Sequence, residues 1–263
     1  MLAHDVVGTG PPLVLLHFLG GHRNVWRPVL PRLAEHHQVF SLDLPGFGDS
    51  SPLPGSPTLP RLADAVLETI DGLGLERPAV AGISIGGGLA VELAARERDG
   101  RPVVSSSVAI SPVGFTSRAE SAFAKASLRA THAACRALVG QIDRLSGPRA
   151  LRTAFGAQIF AKPWQVPAPD LAALVRSVAE SPGTLPTLRA AVGHQIPGGA
   201  ITTPLTIAWG QRDALLLPRQ GARAIERLPF AHLVPLRGCG HVPLWDDTEL
   251  VGDVILRGSR AAA

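Results

Sequence analysis

The chain has 263 residues, of which 46% are hydrophobic and 17% charged, and its formal net charge is +4. It contains no uninterrupted apolar run of about 18–20 residues, the length a membrane-spanning helix needs, so we expect no membrane partner. The basic residues are almost all arginines scattered singly along the chain. Because nucleic-acid binding favours a concentrated basic patch, we expect no nucleic-acid partner. The length suits one domain with an insertion and a sizeable core.

The first part of the chain alternates short apolar runs with helical periodicity. Strands are predicted over residues 2–7, 13–17 and 39–43, and helices over residues 25–36 and 58–73. Pro28 and Pro31 interrupt the first of these helices. Repeated alternation of strand and helix indicates an α/β fold, with a mostly parallel sheet and helices on both of its faces.

The most informative motif is Gly82-Ile83-Ser84-Ile85-Gly86, which lies between an apolar run and a helix-forming segment. A serine at the tip of a sharp strand-to-helix turn projects its hydroxyl free of neighbouring side chains. Glycine is required at both ends, because a Cβ there would collide with the neighbouring strand or helix. The motif therefore predicts a nucleophile elbow at Ser84, and the alternative is a plain Gly/Ser turn.

After a strand predicted over residues 103–111, about ninety residues are expected to be helical. Ser117-Arg118-Ala119-Glu120 is a capping box that predicts the start of a long helix, which Gly140 would end. Further helices are predicted over residues 149–160, 169–180 and 185–194. The long helix carries an apolar stripe that we expect to be its inner face: Ala119, Ala122, Phe123, Ala126, Ala130, Ala133, Ala134 and Ala137.

A serine hydroxyl becomes a nucleophile only when a base takes its proton and an acidic residue orients that base. A predicted strand over residues 205–209 leads into a loop containing Asp213, and a strand over residues 232–236 leads to His241. Serine, acid and histidine in this chain order suit an elbow enzyme, and loops after parallel strands gather functional groups. We therefore predict Ser84, Asp213 and His241 as the catalytic residues. Asp246 and Asp247 are expected to begin the last helix instead, where carboxylates suit the helix dipole.

Five stretches, taken together and in this order, resemble the α/β-hydrolase family, in its capped, esterase- and epoxide-hydrolase-like branch with a serine nucleophile. They are residues 13–21 (LVLLHFLGG), 43–50 (DLPGFGDS), the elbow, 209–213 (WGQRD) and 240–243 (GHVP). The resemblance implies an α/β-hydrolase core over residues 1–111 and 205–263, with a helical cap over residues 112–204. It also implies an oxyanion hole formed by the backbone N–H groups of Leu19 and Ile85. Many members have His-Gly where this chain has His17-Phe18, which leaves Phe18 or Leu19 as the first donor. We expect His17 itself to be structural.

The expected function is a serine hydrolase that acts on a small or medium apolar carboxylic ester through an acyl-enzyme. Ser84 argues against the epoxide hydrolase and haloalkane dehalogenase branches, because these use a carboxylate at that position. The alternatives are a lactone, thioester or C–C bond hydrolase, a biosynthetic lyase or cyclase, and, in another class, a non-catalytic ligand-binding protein. The partner would be a small-molecule substrate. No cofactor is required, and the oligomeric state is left open.

Cys135 and Cys239 are the only cysteines, and we expect both to be free thiols. No Cys/His cluster has zinc-ligand spacing, so we predict no metal. The first residues lack the basic region of a signal peptide, and the expected location is the cytoplasm.

Overall fold

The protein is described here from a computed structural model that covers residues 1–196, 199 and 201–260. The strands are β1 (His4–Val7), β2 (Pro12–Leu16), β3 (Gln38–Leu42), β4 (Ala79–Ile83), β5 (Glu97–Arg98), β6 (Arg101–Pro102), β7 (Ser106–Ile110), β8 (Leu205–Gly210) and β9 (His232–Leu236). Within the described residues, the main sheet has the order β1-β3-β2-β4-β7-β8-β9, and β5 pairs with β6 in a separate ribbon. β1 runs antiparallel to β3, and all other neighbours in the main sheet are parallel.

The helices are α1 (Leu30–Ala34), α2 (Leu59–Gly72), α3 (Ile85–Ala94), α4 (Arg118–Leu138), α5 (Ile142–Leu145), α6 (Arg149–Gly156), α7 (Ala168–Glu180), α8 (Thr184–Ala190), α9 (Arg219–Arg227) and α10 (Thr248–Ser259). Short 3₁₀ turns cover Arg23–Trp26, Val139–Gln141 and Pro163–Gln165. None of the helices in the described ranges combines the length and the apolarity needed to cross a bilayer.

The central strands are apolar at nearly every position because both faces of the sheet are buried. In β2, Val14 and Leu16 pack into one hydrophobic cluster with residues of α2 and α3. Leu13 and Leu15 point the other way and pack with residues of α1 and α10. The predicted mostly parallel sheet, with helices on both faces, is confirmed. Residues 197, 198 and 200 of the predicted cap and 261–263 of the predicted core lie outside the described residues.

The single helix predicted over residues 25–36 is wrong. The chain forms the 3₁₀ turn Arg23–Trp26 and then the short helix α1, whose first turn contains Pro31. Proline has no N–H to continue a helical ladder but suits a first turn, so Pro28 and Pro31 divide the segment.

The β5–β6 ribbon was not predicted, although its signal is present. Asp99 and Gly100 connect the two strands and have φ values of 51° and 72°. Asp-Gly is a favoured pair for a two-residue hairpin turn, because both positions require positive φ.

Between β7 and β8 the chain leaves the sheet and forms the helices α4 to α8; we call residues 112–204 the inserted segment. Its long helix starts at the predicted capping box, where Ser117 and Glu120 each bond the other's backbone N–H. The Glu120 carboxylate also accepts hydrogen bonds from Arg219 Nε at 2.6 Å and from Arg223 at 2.8 Å, both on α9. Burial opposes the charge, but bonds from Ser117 N–H, Arg223 and Arg219 outweigh it and lower the pKa of Glu120 to about 2. The carboxylate thus ties the inserted segment to the core.

The predicted inner face of α4 is wrong. Every residue of the alanine-rich stripe is exposed, and Phe123 is 53% exposed. The face that turns inward instead carries Glu120, Ala124 and Leu128, and α4 packs against α7 and α8. Helical periodicity showed that a stripe exists, but alanine is small enough to lie on either side. The anchoring Glu120 and the apolar Leu128 decide the orientation.

This corrected orientation predicts unequal effects of one substitution at two alanines of α4. Replacing either alanine by glutamine changes the helix propensity by the same amount. The change in packing differs, because Ala124 is fully buried and Ala126 is exposed. Ala124→Gln should lower the free energy of unfolding by about 2 kcal/mol, because it forces a long polar side chain into a narrow, buried and mostly apolar space. Ala126→Gln should change it by less than about 0.5 kcal/mol. Urea titration measures both, and equal effects would contradict the orientation.

Candidate active site

Ser84 lies at the turn between β4 and α3 with φ 57° and ψ −111°. This conformation is rare for a residue with a side chain and costs about 1–3 kcal/mol. Hydrogen bonds hold it in place: Ser84 N–H donates to the Ile110 carbonyl at 2.9 Å, and the Ser84 carbonyl accepts from Gly88 and Val113. A strained serine held between a central strand and a buried helix is the geometry of a nucleophile elbow.

The two glycines of the motif are required by close contacts. A Cβ on Gly82 would overlap the carbonyl of Gly86, and a Cβ on Gly86 would overlap the carbonyl of Leu16 at the end of β2. The collisions expected from the sequence therefore occur, one with the following helix and one with the neighbouring strand.

Asp213 and His241 form a buried pair at the ends of β8 and β9. His241 Nδ1 lies 2.8 Å from Asp213 Oδ2, and the side chains of His241 and Asp213 are 2% and 0% exposed, respectively. The other oxygen, Oδ1, accepts N–H bonds from Leu215 at 2.9 Å and Leu216 at 2.8 Å. Because an ionised carboxylate only accepts hydrogen bonds, Nδ1 carries the proton and the neutral ring keeps a lone pair on Nε2. That is the tautomer a general base needs.

The loops that carry this pair are bonded to each other. Gln211 N–H donates to the Leu236 carbonyl at 3.0 Å, and Arg212 N–H donates to the Cys239 carbonyl at 2.8 Å. The parallel pairing of β8 with β9 therefore continues into the loops, which keeps Asp213 in register with His241.

Ser84 and His241 line the same narrow cavity, whose volume is about 70 Å³. Its walls are mostly apolar and come from the core loops and from the inserted segment, including Phe18, Val113, Ala124, Leu128, Ile159 and Leu215. In the described part of the chain, no hydrogen bond joins the Ser84 hydroxyl to the His241 ring. Catalytic hydrogen bonds are often loose in a ligand-free site and tighten when substrate binds.

Leu19 and Ile85, the expected oxyanion donors, line the same cavity as Ser84. The N–H groups of both residues are free of hydrogen bonds to other described residues. Phe18 lines the cavity as well, so the choice between Phe18 and Leu19 as the first donor stays a prediction.

A profile of the alpha/beta hydrolase family matches residues 13–254, nearly the whole chain. The protein is a member of the α/β-hydrolase family. A crystal structure of a membrane phospholipase A, a bacterial virulence factor, is 27% identical, with a TM-score of 0.74 over 99% of this chain and 84% of that one. The enol-lactonase from Burkholderia xenovorans LB400 is 23% identical, with a TM-score of 0.75 over 97% and 95% of the two chains, and shows the shared fold. The pimeloyl-[acyl-carrier protein] methyl ester esterase of Pseudoalteromonas atlantica is 38% identical over 92 residues, 35% of this chain and 34% of that protein.

In this α/β hydrolase, His17 holds the loop that follows β2. Its Nε2 accepts the Leu44 N–H at 2.9 Å, so Nδ1 carries the proton and donates to the Phe18 carbonyl at 2.8 Å. The ring is fully buried and packs edge-on against Phe47. Burial lowers the pKa of His17 to about 4, and the bond to Phe18 only partly opposes that shift. As expected from the sequence, His17 has a structural role, since hydrogen bonds fix its loop beside Ser84.

The lowered pKa of His17 predicts a loss of stability in mild acid. Below its ordinary value of 6.5 the unfolded chain binds a proton at His17 and the native protein does not, so stability falls until the native pKa of about 4 is reached. Between these two pH values, His17 should lower the free energy of unfolding by roughly 3 kcal/mol in total, at about 1.4 kcal/mol per pH unit. Unfolding titrations between those pH values should therefore show a shallower pH dependence for His17→Gln than for the wild type. His36→Gln, at an exposed histidine, is the control and should keep the wild-type slope; equal slopes for all three would contradict the assignment.

Asp246 is a residue that the sequence analysis misjudged. The last helix begins at Thr248 with Asp247 as its cap, so only Asp247 has the expected place. Asp246 is 3% exposed, and its carboxylate accepts backbone N–H bonds from Gly240 at 2.8 Å, Ala161 at 3.0 Å and Lys162 at 2.6 Å. It therefore joins the inserted segment to the residue next to His241. An acidic residue close after the histidine was visible in the sequence, but two of its three partners, Ala161 and Lys162, lie 85 and 84 residues away.

Asp246→Asn should damage the protein far more than Asp247→Asn. An asparagine keeps one acceptor and turns an NH₂ group toward backbone donors, so we expect a loss of about 3 kcal/mol in unfolding free energy. Asparagine is as good a helix cap as aspartate, so Asp247→Asn should lose less than about 1 kcal/mol. Thermal unfolding and kcat/KM for a nitrophenyl ester check both variants. The reverse ranking would show that Asp246 is not the residue positioning the His241 loop.

Cys239 lies two residues before His241 but is not poised to react. It is fully buried, and burial together with Asp246 and Asp247 raises the pKa of its thiol to about 12. Both cysteines are free. Among the described residues, no three His, Cys, Asp or Glu side chains are grouped as metal ligands would be.

Proposed function

We propose that this hydrolase is a serine carboxylesterase that acts on neutral esters with small or medium apolar acyl groups. One observation carries the proposal: an elbow serine and a carboxylate-bound histidine meet in a single apolar cavity. Both are buried, and both come from loops at the carboxyl edge of the sheet, where this architecture gathers reactive groups.

In the proposed reaction, Ser84 Oγ attacks the ester carbonyl while His241 Nε2 takes the serine proton. Asp213 stabilises the imidazolium that forms, and the N–H groups of Leu19 and Ile85 bind the oxyanion. Such preorganised donors contribute about 10²–10³ in rate. The imidazolium then gives its proton to the leaving alcohol as the C–O bond breaks. A water molecule, deprotonated by His241, attacks the acyl-enzyme and releases the acid with Ser84 regenerated.

The cavity supports a neutral, apolar acyl group. Among its described lining residues, His241 is the only ionisable side chain, so a charged substrate group would be buried without a partner. Each buried CH₂ group, by contrast, contributes roughly 0.8 kcal/mol. This argues against carboxylated substrates, for which a buried arginine would be expected. The similarity to a methyl ester esterase supports an ester as the scissile group.

We propose that the inserted segment, residues 112–204, is a cap that sets which esters fit. Ala124, Leu128 and Ile159 of this segment line the cavity that also contains Ser84. The support comes from the inward face of α4 and from Ile159, whose carbonyl accepts the Val242 N–H at 2.8 Å.

Ser84→Ala tests the proposal directly. A fluorophosphonate should add one label to the wild-type protein, and peptide mapping should place it on Ser84. The wild type should also hydrolyse nitrophenyl esters of short fatty acids, with kcat/KM rising with chain length until the cavity is full. Ser84→Ala should lose the label and this hydrolysis while keeping the wild-type melting temperature.

Ser111→Ala is a matched control, since Ser111 is a buried serine with positive φ at the end of the neighbouring strand. It should keep the label and the activity. Labelling that survives Ser84→Ala, or a wild-type protein that accepts neither probe, would refute a serine esterase.

A further inference from the structure

One polar group in the cavity has no role in the proposed reaction. Thr184 lines the cavity and is 3% exposed, yet its hydroxyl has no hydrogen-bond partner among the described residues. The other threonine of the wall, Thr131, donates to Gln158 at 3.2 Å. Among the described lining residues outside the proposed triad, Thr184 is therefore the side chain with an unsatisfied polar group. Buried hydroxyls without a protein partner are uncommon in native structures, and one that faces a cavity is available to a bound ligand.

The position of Thr184 is firmly set. It is the first residue of α8, and the preceding Gly183 donates its N–H to the Gly46 carbonyl at 2.9 Å. A Cβ on Gly183 would lie 2.9 Å from the same carbonyl oxygen and 2.9 Å from the Phe47 ring, so only glycine allows this approach. The backbone contact anchors Thr184 to the loop after β3, which leaves its side chain little freedom to find another partner.

We propose that Thr184 determines specificity by donating a hydrogen bond to an acceptor oxygen in the acyl chain of the substrate. The proposal rests on the ester hydrolysis proposed above and narrows its substrate class to esters of oxo-acids, whose keto oxygen is uncharged. A hydroxyl always has a proton to donate, and a buried donor without an acceptor is less tolerated than a spare lone pair. A neutral ketone also suits walls that are otherwise apolar, because it brings no charge into them.

The helix supplies a matched control. Thr187 lies one turn further along α8, is fully buried and also lacks a hydrogen-bond partner for its hydroxyl among the described residues, but it does not line the cavity. Thr184→Val and Thr187→Val both replace a buried hydroxyl by a methyl group of similar shape. Neither should lower the melting temperature, since neither hydroxyl bonds another described residue. Only Thr184→Val should change substrate choice.

The experiment compares kcat/KM for nitrophenyl pentanoate, hexanoate and heptanoate with the same esters carrying a ketone on the penultimate acyl carbon. For at least one pair, the wild type should prefer the keto ester by about 10-fold, the size expected for one hydrogen bond between neutral groups. Thr184→Val should abolish that preference, Thr184→Ser should keep it, and Thr187→Val should leave it unchanged.

The proposal is overturned if the wild type prefers the hydrocarbon ester in all three pairs. It is also overturned if Thr184→Val keeps the preference, or if Thr187→Val removes it equally. In each of these cases, Ser84-dependent hydrolysis of the plain esters would leave the esterase proposal standing. If neither ester of any pair is hydrolysed and fluorophosphonate does not label Ser84, the esterase proposal is refuted. The Thr184 proposal, which rests on it, is then refuted as well.

Discussion

The site depends on the strained backbone of Ser84. A φ of 57° is accessible only because Gly82 and Gly86 let α3 approach β4 and β2 more closely than any side chain would allow. This backbone conformation costs about 1–3 kcal/mol, and the packing of the buried strands on either side of β4 offsets that cost. Because β2 and β7 flank β4, the loops that follow them bring Leu19 and Val113 to the cavity beside Ser84. β8 and β9 are further along the same edge and deliver Asp213 and His241.

Buried carboxylates hold these loops together. Asp213 accepts from two amides and from His241, and Asp246 accepts from three amides. Asp43, fully buried after β3, accepts from the N–H groups of Arg23 at 2.6 Å and Asp49 at 2.9 Å. A carboxylate in an apolar interior is tolerated only when its oxygens are saturated with donors. Each acid therefore fixes the backbone of the loop around it, which gives irregular segments the rigidity that a reactive site requires.

Much of the fold and of the candidate site could be predicted from the sequence, because both depend on local patterns. Strands buried on both faces are continuous apolar runs, and the elbow needs two glycines at a set spacing from a serine. The orientation of α4 could not be predicted, since alanine is compatible with either face and the deciding partner of Glu120 is on α9. The role of Asp246 could not be predicted for a related reason: two of its three donors belong to a distant segment. Long-range contacts of buried polar groups leave no periodic signal in a single sequence.

The same long-range contacts limit how the inserted segment can move. Asp246 bonds Ala161 and Lys162 on one side and Gly240 on the other, while Glu120 is held by two arginines of α9. Opening the whole segment as a lid would take the amides of Ala161 and Lys162 from Asp246 and the two arginines from Glu120. Only the bonds of Asp246 to Gly240 and of Glu120 to Ser117 would remain. A buried carboxylate that loses donors keeps a charge that is only partly compensated, so both losses would destabilise an open form. These contacts therefore oppose displacement of the inserted segment as a rigid body. Local movement of the helices between the two anchors would leave the contacts in place.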